Sequence, residues 1–242
     1  MIYQPIKVTA FTPSGLSVYD DYTPDLGGIL EFFWLEERNL LSVNPTKNTL
    51  VFADIPVYKH ILSKDVFWNQ EISDSDWVWA ISAPVYRYKC ERQDQARKRW
   101  DADYNYPVTW GKRKANIQTN GGDFKSADVP VPIRITDKVS WYLIGEIEEI
   151  KQLLNKCTSL GKRRAMGCGQ VSRWEIVEYD QDYSLVRNGN LMTALPQIHK
   201  NNVSFDSTKT TLIRWNTHAP RWEKRNATMC YMPVGLCQED FD

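Results

Sequence analysis

From Glu146 to Tyr179 the chain reads as a helix, a glycine-rich turn and a strand in direct succession, an order that narrows the folds open to it. Ile147, Ile150, Leu153, Leu154 and Cys157 recur at helical spacing, so Glu146–Leu160 is expected to be helical, with Gly161 as its C′ residue. Val171–Tyr179 (VSRWEIVEY) alternates apolar and polar positions, the pattern of a strand with one buried face. Upstream, Ile6–Phe11 alternates in the same way and ends at Thr12-Pro13-Ser14-Gly15. Leu26, Ile29, Leu30, Phe33 and Trp34 then predict a helix from Pro24–Asp25 to about Leu41. Trp77–Pro84 reads as a strand running on toward Lys89, and Val129–Ile135 and Ser140–Ile144 as two more. Strand, helix, two or more strands, helix and closing strand is the order of an α+β, ferredoxin-like (RRM-like) βαββαβ unit.

One domain spanning 1–242 suits this order and length. Residues 91–125 form an insertion between the central strands, rich in bases, Trp, Tyr and Asn, without sustained periodicity, and are expected to be a long connection. The tail from Asp180 is expected to be irregular.

The turn itself, Leu160-Gly161-Lys162-Arg163-Arg164-Ala165-Met166-Gly167-Cys168-Gly169-Gln170-Val171, joins the best helix to the best strand. Gly161, Gly167 and Gly169 allow left-handed conformations and a close approach of backbone N–H groups to a ligand. Lys162, Arg163 and Arg164 add positive charge, so the segment suits phosphate oxygens. A helix C-terminus carrying solvated bases is the competing structural explanation. The segment lacks the G-x-x-x-x-G-K-[ST] order of a P-loop, and its helix precedes the strand. A dinucleotide fingerprint lacks its third glycine.

Formal net charge is zero, but the charge is unevenly placed. Acids dominate from Met1 to Ala80. Bases dominate from Arg87 to Lys114, and Lys156–Arg173 holds five bases and no acid. A local field of this kind attracts polyanions whatever the total charge. Aromatic residues at 12% argue against disorder. No apolar run approaches the roughly 18 residues of a membrane span. Met1–Ala10, with Gln4 and Lys7, does not read as a signal peptide, so a cytoplasmic protein without membrane contact is expected. Cys90, Cys157, Cys168, Cys230 and Cys237 include no C-x-x-C, and only three histidines accompany them, so neither a metal site nor a disulfide framework nor a cofactor is expected.

The block GKRRAMGCGQVSRWEI resembles the C-terminal glycine-rich loop and following strand of the RAMP superfamily, the RNA-binding proteins of CRISPR systems. IKVTAFTPSG leading to PDLGGILEFFW, DYSLVRNGNLMTALP, APRW and MCYMPVG resemble, more narrowly, the 5′-handle-binding RAMP subunit of type IV effector complexes. The resemblance implies a modified ferredoxin-like fold with a thumb-like extension at 91–125. It also implies a non-catalytic subunit that holds the 5′ repeat-derived handle of the guide RNA and caps one end of the complex. Its implied partners are a backbone filament subunit and a large-subunit equivalent. Gly161, Lys162, Arg163, Arg164, Gly167 and Gly169 would form the RNA-facing loop.

Arg97-Lys98-Arg99-Trp100 and Trp110-Gly111-Lys112-Arg113-Lys114 combine cations with an indole, a pairing suited to phosphates and splayed bases of single-stranded RNA. Whether Trp100 and Trp110 stack on bases or sit in a core stays open; Trp77, Trp79 and Trp174 read as core. Target DNA is a further candidate partner, within reach of Lys112–Lys114 or Asn116. The alternative function is a metal-free endonuclease that processes repeat RNA, with His60 in VYKHIL as general base. His199 and His218 fall in the tail, and no Ser/His/Asp or Cys/His set assembles from sequence alone.

Overall fold

The computed structural model describes residues 2–18, 20–40, 53–63, 76–98, 108–110, 113–115, 127–218 and 227–236; for 96–98, 108–110, 113–115 and 127 the description is of the backbone. It is an α+β protein in which β1 (Gln4–Phe11) lies between β8 (Lys138–Gly145) and β9 (Arg173–Glu178), both antiparallel to it. On the outer edge of β8 the 80–85 segment runs antiparallel, through Ser82 N to Tyr142 O (2.8 Å) and reciprocal bonds between Val85 and Ser140. The segment follows β3 (Trp77–Trp79), which pairs with β2 (Lys59–Ile61). Across the sheet the sequence is therefore 80–85, β8, β1, β9.

Two helices cover one face. Helix α1 (Leu26–Glu37) begins where Asp25 Oδ1 accepts the N–H of Gly27 at 3.1 Å, a side-chain N-cap. It stops short of Leu41 because Asn39 takes a left-handed φ of 55° and its N–H returns to Glu36 O. Helix α2 (Ile147–Leu154) is capped by Glu146, whose carboxylate accepts from Glu148 N and Glu149 N. Lys156 ties the pair together through an ion pair with Glu37 at 3.0 Å. Beneath them, Ile6, Val8 and Ala10 of β1 and Val139, Trp141 and Leu143 of β8 pack on Leu26, Leu30, Ile150, Leu153 and Leu154. Trp77, Trp79 and Trp174 join this cluster, as the sequence predicts. Removing such side chains from water contributes about 1.5–3 kcal/mol each.

Three expectations change. α2 ends at Leu154 with Asn155 as its C-cap, so Gly161 is not the helix C′ residue. Residues 91–125 are not wholly irregular: β4 (Cys90–Lys98) pairs along its whole length with β7 (Ala127–Ile135), and β5 (Val108–Trp110) pairs with β6 (Arg113–Ala115). The tail is also more ordered than expected. β10 (Val186–Arg187) and β11 (Asn190–Leu191) form a hairpin, while β12 (Leu195–Pro196), β14 (Thr228–Pro233) and β13 (Thr210–Trp215) make a three-stranded sheet in that order. Tail residues close part of the second face of the main sheet. Tyr142 lies against Met192 and Leu236, Tyr179 and Tyr183 crowd its ring, and Arg187 Nη1 donates to its hydroxyl at 3.0 Å.

Candidate nucleic-acid interface

The glycine-rich segment is a closed loop whose ends pair with each other: Leu160 N donates to Gly169 O (2.8 Å) and Val171 N to Thr158 O (2.9 Å). It is seated on residues 14–17, the turn that leaves β1. Gly169 N donates to Gly15 O (2.6 Å), Lys162 N to Ser17 O (2.9 Å) and Gln170 N to Ser14 Oγ (2.9 Å). Arg163 adopts a left-handed φ of 59° and opens a single 3-10 turn, Arg164–Met166. Met166 N and Cys168 N return to Arg163 O, and Gly167 N to Arg164 O.

These bonds give two of the three glycines a local cause. At Gly169 (φ +68°) an added Cβ would collide with the Leu160 carbonyl, and at Gly161 (φ +71°) it would lie 2.7 Å from Ser17 O. Gly167 (φ +81°) alone faces open space. Eight amides from Leu160 to Val171 are engaged within the protein, so the loop's outward character comes chiefly from side chains. Lys162, Arg163 and Arg164 are all exposed at the tip, and neither arginine enters an ion pair among the described residues.

Cys168 anchors the underside of the loop. Its buried thiol packs on Val131 and Ile133 of β7, and burial pushes its pKa up, helped by Asp94 and opposed by Arg92 and Arg163. The register sets Arg92 opposite Ile133 and Asp94 opposite Val131, so both rise from the hairpin face on which Cys168 sits. Arg92 is exposed and makes no ion pair among the described residues, a cation of the loop's surroundings that the sequence counts among the bases but does not assign to the site. The alternation of β7, VPVPI, was the signal that a partner strand should lie beside it.

The base of the hairpin is fixed by Arg134, whose side chain is 14% exposed. It bonds Asp21 (2.7 Å), Glu91 (3.1 Å) and the Tyr86 hydroxyl (2.8 Å). Burial works against its charge, but the bonds to Tyr86, Asp21 and Glu91 outweigh that and raise its pKa further. Leu16 and Arg134 exchange both backbone bonds, at 2.8 and 2.9 Å. One frame thus carries the loop, the 14–17 turn and the hairpin.

The other sequence-predicted residues fall along the extension. Arg97 and Lys98 lie at the far end of β4, opposite Asp128 and Ala127, away from the glycine-rich loop. Trp110 pairs with Arg113, and Lys114 with Thr109, across the β5–β6 hairpin. Arg99, Trp100, Lys112 and Asn116 lie outside the described residues.

His60 is tied down elsewhere. Its Nε2 lies 2.7 Å from Ser184 Oγ and 3.6 Å from Asp182 Oδ2, while Ser184 Oγ donates to Asp182 Oδ1 at 2.6 Å. The structure therefore does bring a His, a Ser and an Asp together. Their polarity differs from that of a nucleophilic triad: the serine is fully buried and gives its proton to the aspartate, and both partners use the same ring nitrogen. Burial lowers the His60 pKa, against an opposing pull from Asp182. His199 is buried beside Asp76 (3.3 Å), and His218 is buried with its ring 3.8 Å from that of Trp77.

The architecture and its basic loop define an α+β protein with a cationic edge anchored on a β-hairpin arm. The chain belongs to the family of the CRISPR type IV associated protein Csf3, whose model matches residues 46–233. The matched span holds the glycine-rich loop and both hairpin strands, while β1 and α1 precede it. This membership fits a subunit of a type IV effector complex. No curated protein matches the chain. Among the described residues no helix is long and apolar enough to cross a membrane.

Proposed function

We propose that this chain is a non-catalytic RNA-binding subunit of a type IV effector complex, acting in the cytoplasm. It holds the 5′ repeat-derived handle of the guide RNA on the Lys162–Arg164 tip and caps one end of the complex. There it contacts a backbone filament subunit and a large-subunit equivalent. The observation that carries the reading is a triplet of exposed cations on a turn whose backbone is already fixed. Three bonds to residues 14–17 hold that turn, so little ordering remains to be done when a polyanion arrives. The order 80–85, β8, β1, β9, with α1 and α2 on one face, supports a ferredoxin-like unit of the RAMP type. The β4–β7 arm supports reading residues 91–125 as the thumb-like extension of such a subunit.

The test is binding of a fluorescent single-stranded RNA of repeat-handle sequence as salt is varied. Changing Lys162, Arg163 and Arg164 together to alanine should weaken binding and flatten the slope of log affinity against log salt by about 0.7 per lost phosphate contact. A folded triple variant with unaltered affinity and slope would refute the proposal. The non-catalytic part is supported by His60, whose Nε2 is engaged by a buried serine. Cleavage of repeat RNA by the purified protein without metal, lost in His60→Ala, would overturn it.

A further inference from the structure

The register of the main sheet sets Lys138, Phe11 and Arg173 side by side in one row, because Phe11 pairs with Lys138 on one flank and Arg173 on the other. Strand residues alternate between faces. Since Ile6, Val8 and Ala10 face the helices, this row lies on the opposite face. In the next rows on that face Thr9, Ser140 and Tyr142 are buried, the last beneath tail aromatics, while Glu175 and Val177 of β9 stay exposed. The row of Phe11 is the last of the sheet; Lys138 and Arg173 in it are exposed and Phe11 is half-buried.

Within the row the guanidinium carbon of Arg173 lies 3.8 Å from the centroid of the Phe11 ring. Glu175 stands two residues along on the same face, yet Arg173 forms no ion pair with it. The cation is held by a ring in preference to a carboxylate. The glycine-rich loop ends close by, with three residues and at most about 14 Å of chain between Gly169 and Arg173. Ser172 locks that stretch to β1 by donating its N–H (2.9 Å) and hydroxyl (3.2 Å) to Phe11 O.

We propose that Arg173, held on the ring of Phe11, is a nucleobase-stacking site for single-stranded RNA leaving the glycine-rich loop. The proposal rests on the RNA-binding reading above and extends the interface onto the sheet. A phosphate contact would use the N–H edges of the guanidinium and needs no ring beneath it. A stack of ring, guanidinium and base uses the ring and the planar cation together. Every base offers a π-face, so the site tolerates sequence and adds affinity without reading letters.

The experiment uses the full chain and the same fluorescent handle RNA, with a set of copies each carrying one abasic nucleotide. Arg173→Lys keeps the charge and removes the plane. It should weaken binding about tenfold, the scale of one base–aromatic stack, with the salt slope unchanged. One abasic position should cost the wild type a similar factor and cost Arg173→Lys nothing further, the coupling expected of two groups in contact. Phe11→Leu, verified as folded by its melting curve, should lose affinity in the same direction and less. If Arg173→Lys binds every RNA as the wild type does, while the Lys162/Arg163/Arg164 variant is impaired, the stacking site falls and the loop reading stands. If the wild type binds none of these RNAs, both fall.

Discussion

A methyl group added at Gly169 would be driven into the carbonyl of Leu160, at a residue already held at φ +68°. At Gly167, φ is +81° and nothing lies within 4 Å. Gly169→Ala is therefore expected to cost roughly 2–3 kcal/mol, through a clash and a left-handed alanine together. Gly167→Ala carries the second penalty only, about 1 kcal/mol. Thermal melting separates them, at about 2–4 °C per kcal/mol for a chain of this size; equal shifts would contradict the packing described for the loop. From sequence these glycines read as a helix C′ residue, at Gly161, and as room for backbone N–H groups to approach a ligand. The reason at Gly161 and Gly169 is contact with Ser17 and Leu160, and the contact with Ser17 joins segments far apart in sequence.

His60 makes a second prediction at this scale. Burial lowers its pKa below the ordinary value near 6.5, so the unfolded chain binds the proton more readily than the folded one. Stability is thus full above about pH 6.5 and declines as pH falls from there toward the depressed folded value. His60→Gln can still donate to Ser184 but does not titrate there. Its melting temperature should fall less than that of the wild type between pH 7.5 and 5.5. Parallel curves would show that the folded state does not disfavour the charged ring.

The β4–β7 hairpin shows at element scale why a strand can be invisible in sequence. Residues Cys90–Gln95 are all exposed, and CERQDQARK carries no apolar alternation for a core to select. Its strand identity comes from backbone pairing with β7, whose alternation is legible because Val131 and Ile133 are buried. Arg134 N bonds Leu16 O, away from β4, so the nitrogens of Pro130 and Pro132 point the same way. Their missing donors leave the β4 ladder intact and blunt the outer edge of β7 against further pairing. The small strands of the tail were missed for a related reason, since β10, β11 and β12 are two residues each and too short for a period to show.

What orients the arm is Arg134, and Arg134→Met tests it. The change keeps the aliphatic stem and leaves Asp21, Glu91 and Tyr86 without their shared donor. Both carboxylates are 42% exposed, so water partly compensates and the expected cost is about 1–3 kcal/mol. Hydrogen exchange should quicken at Leu16 and along the base of β4, with α2 unaffected. A uniform rise in exchange across the chain would mean that Arg134 holds the whole fold and not the arm in particular.

Across the whole molecule, zero net charge conceals two opposed ends. β1 runs from Gln4, beside Gly145 and the acids Glu146, Glu148 and Glu149, to Phe11, where the chain turns under the basic loop. Asp54 belongs to the acidic end, since it and Glu149 both act on the Tyr3 hydroxyl, which burial and these carboxylates make harder to ionise. Eight residues of strand separate the ends by about 26 Å. A polyanion approaching such a protein is drawn to one end and turned from the other, which favours a productive encounter over raw affinity. Asp54→Asn with Glu148→Gln, at side chains 81% and 72% exposed, removes part of the repulsive end without touching the loop. At about 0.01 M salt the screening length, about 30 Å, exceeds the separation, so the double variant should bind RNA with an altered association rate. At 0.15 M the length falls to about 8 Å and the difference should vanish, with dissociation the same at both salts. An effect that persisted at 0.15 M would mean that RNA reaches the acidic end, and that the protein has no one-ended polarity.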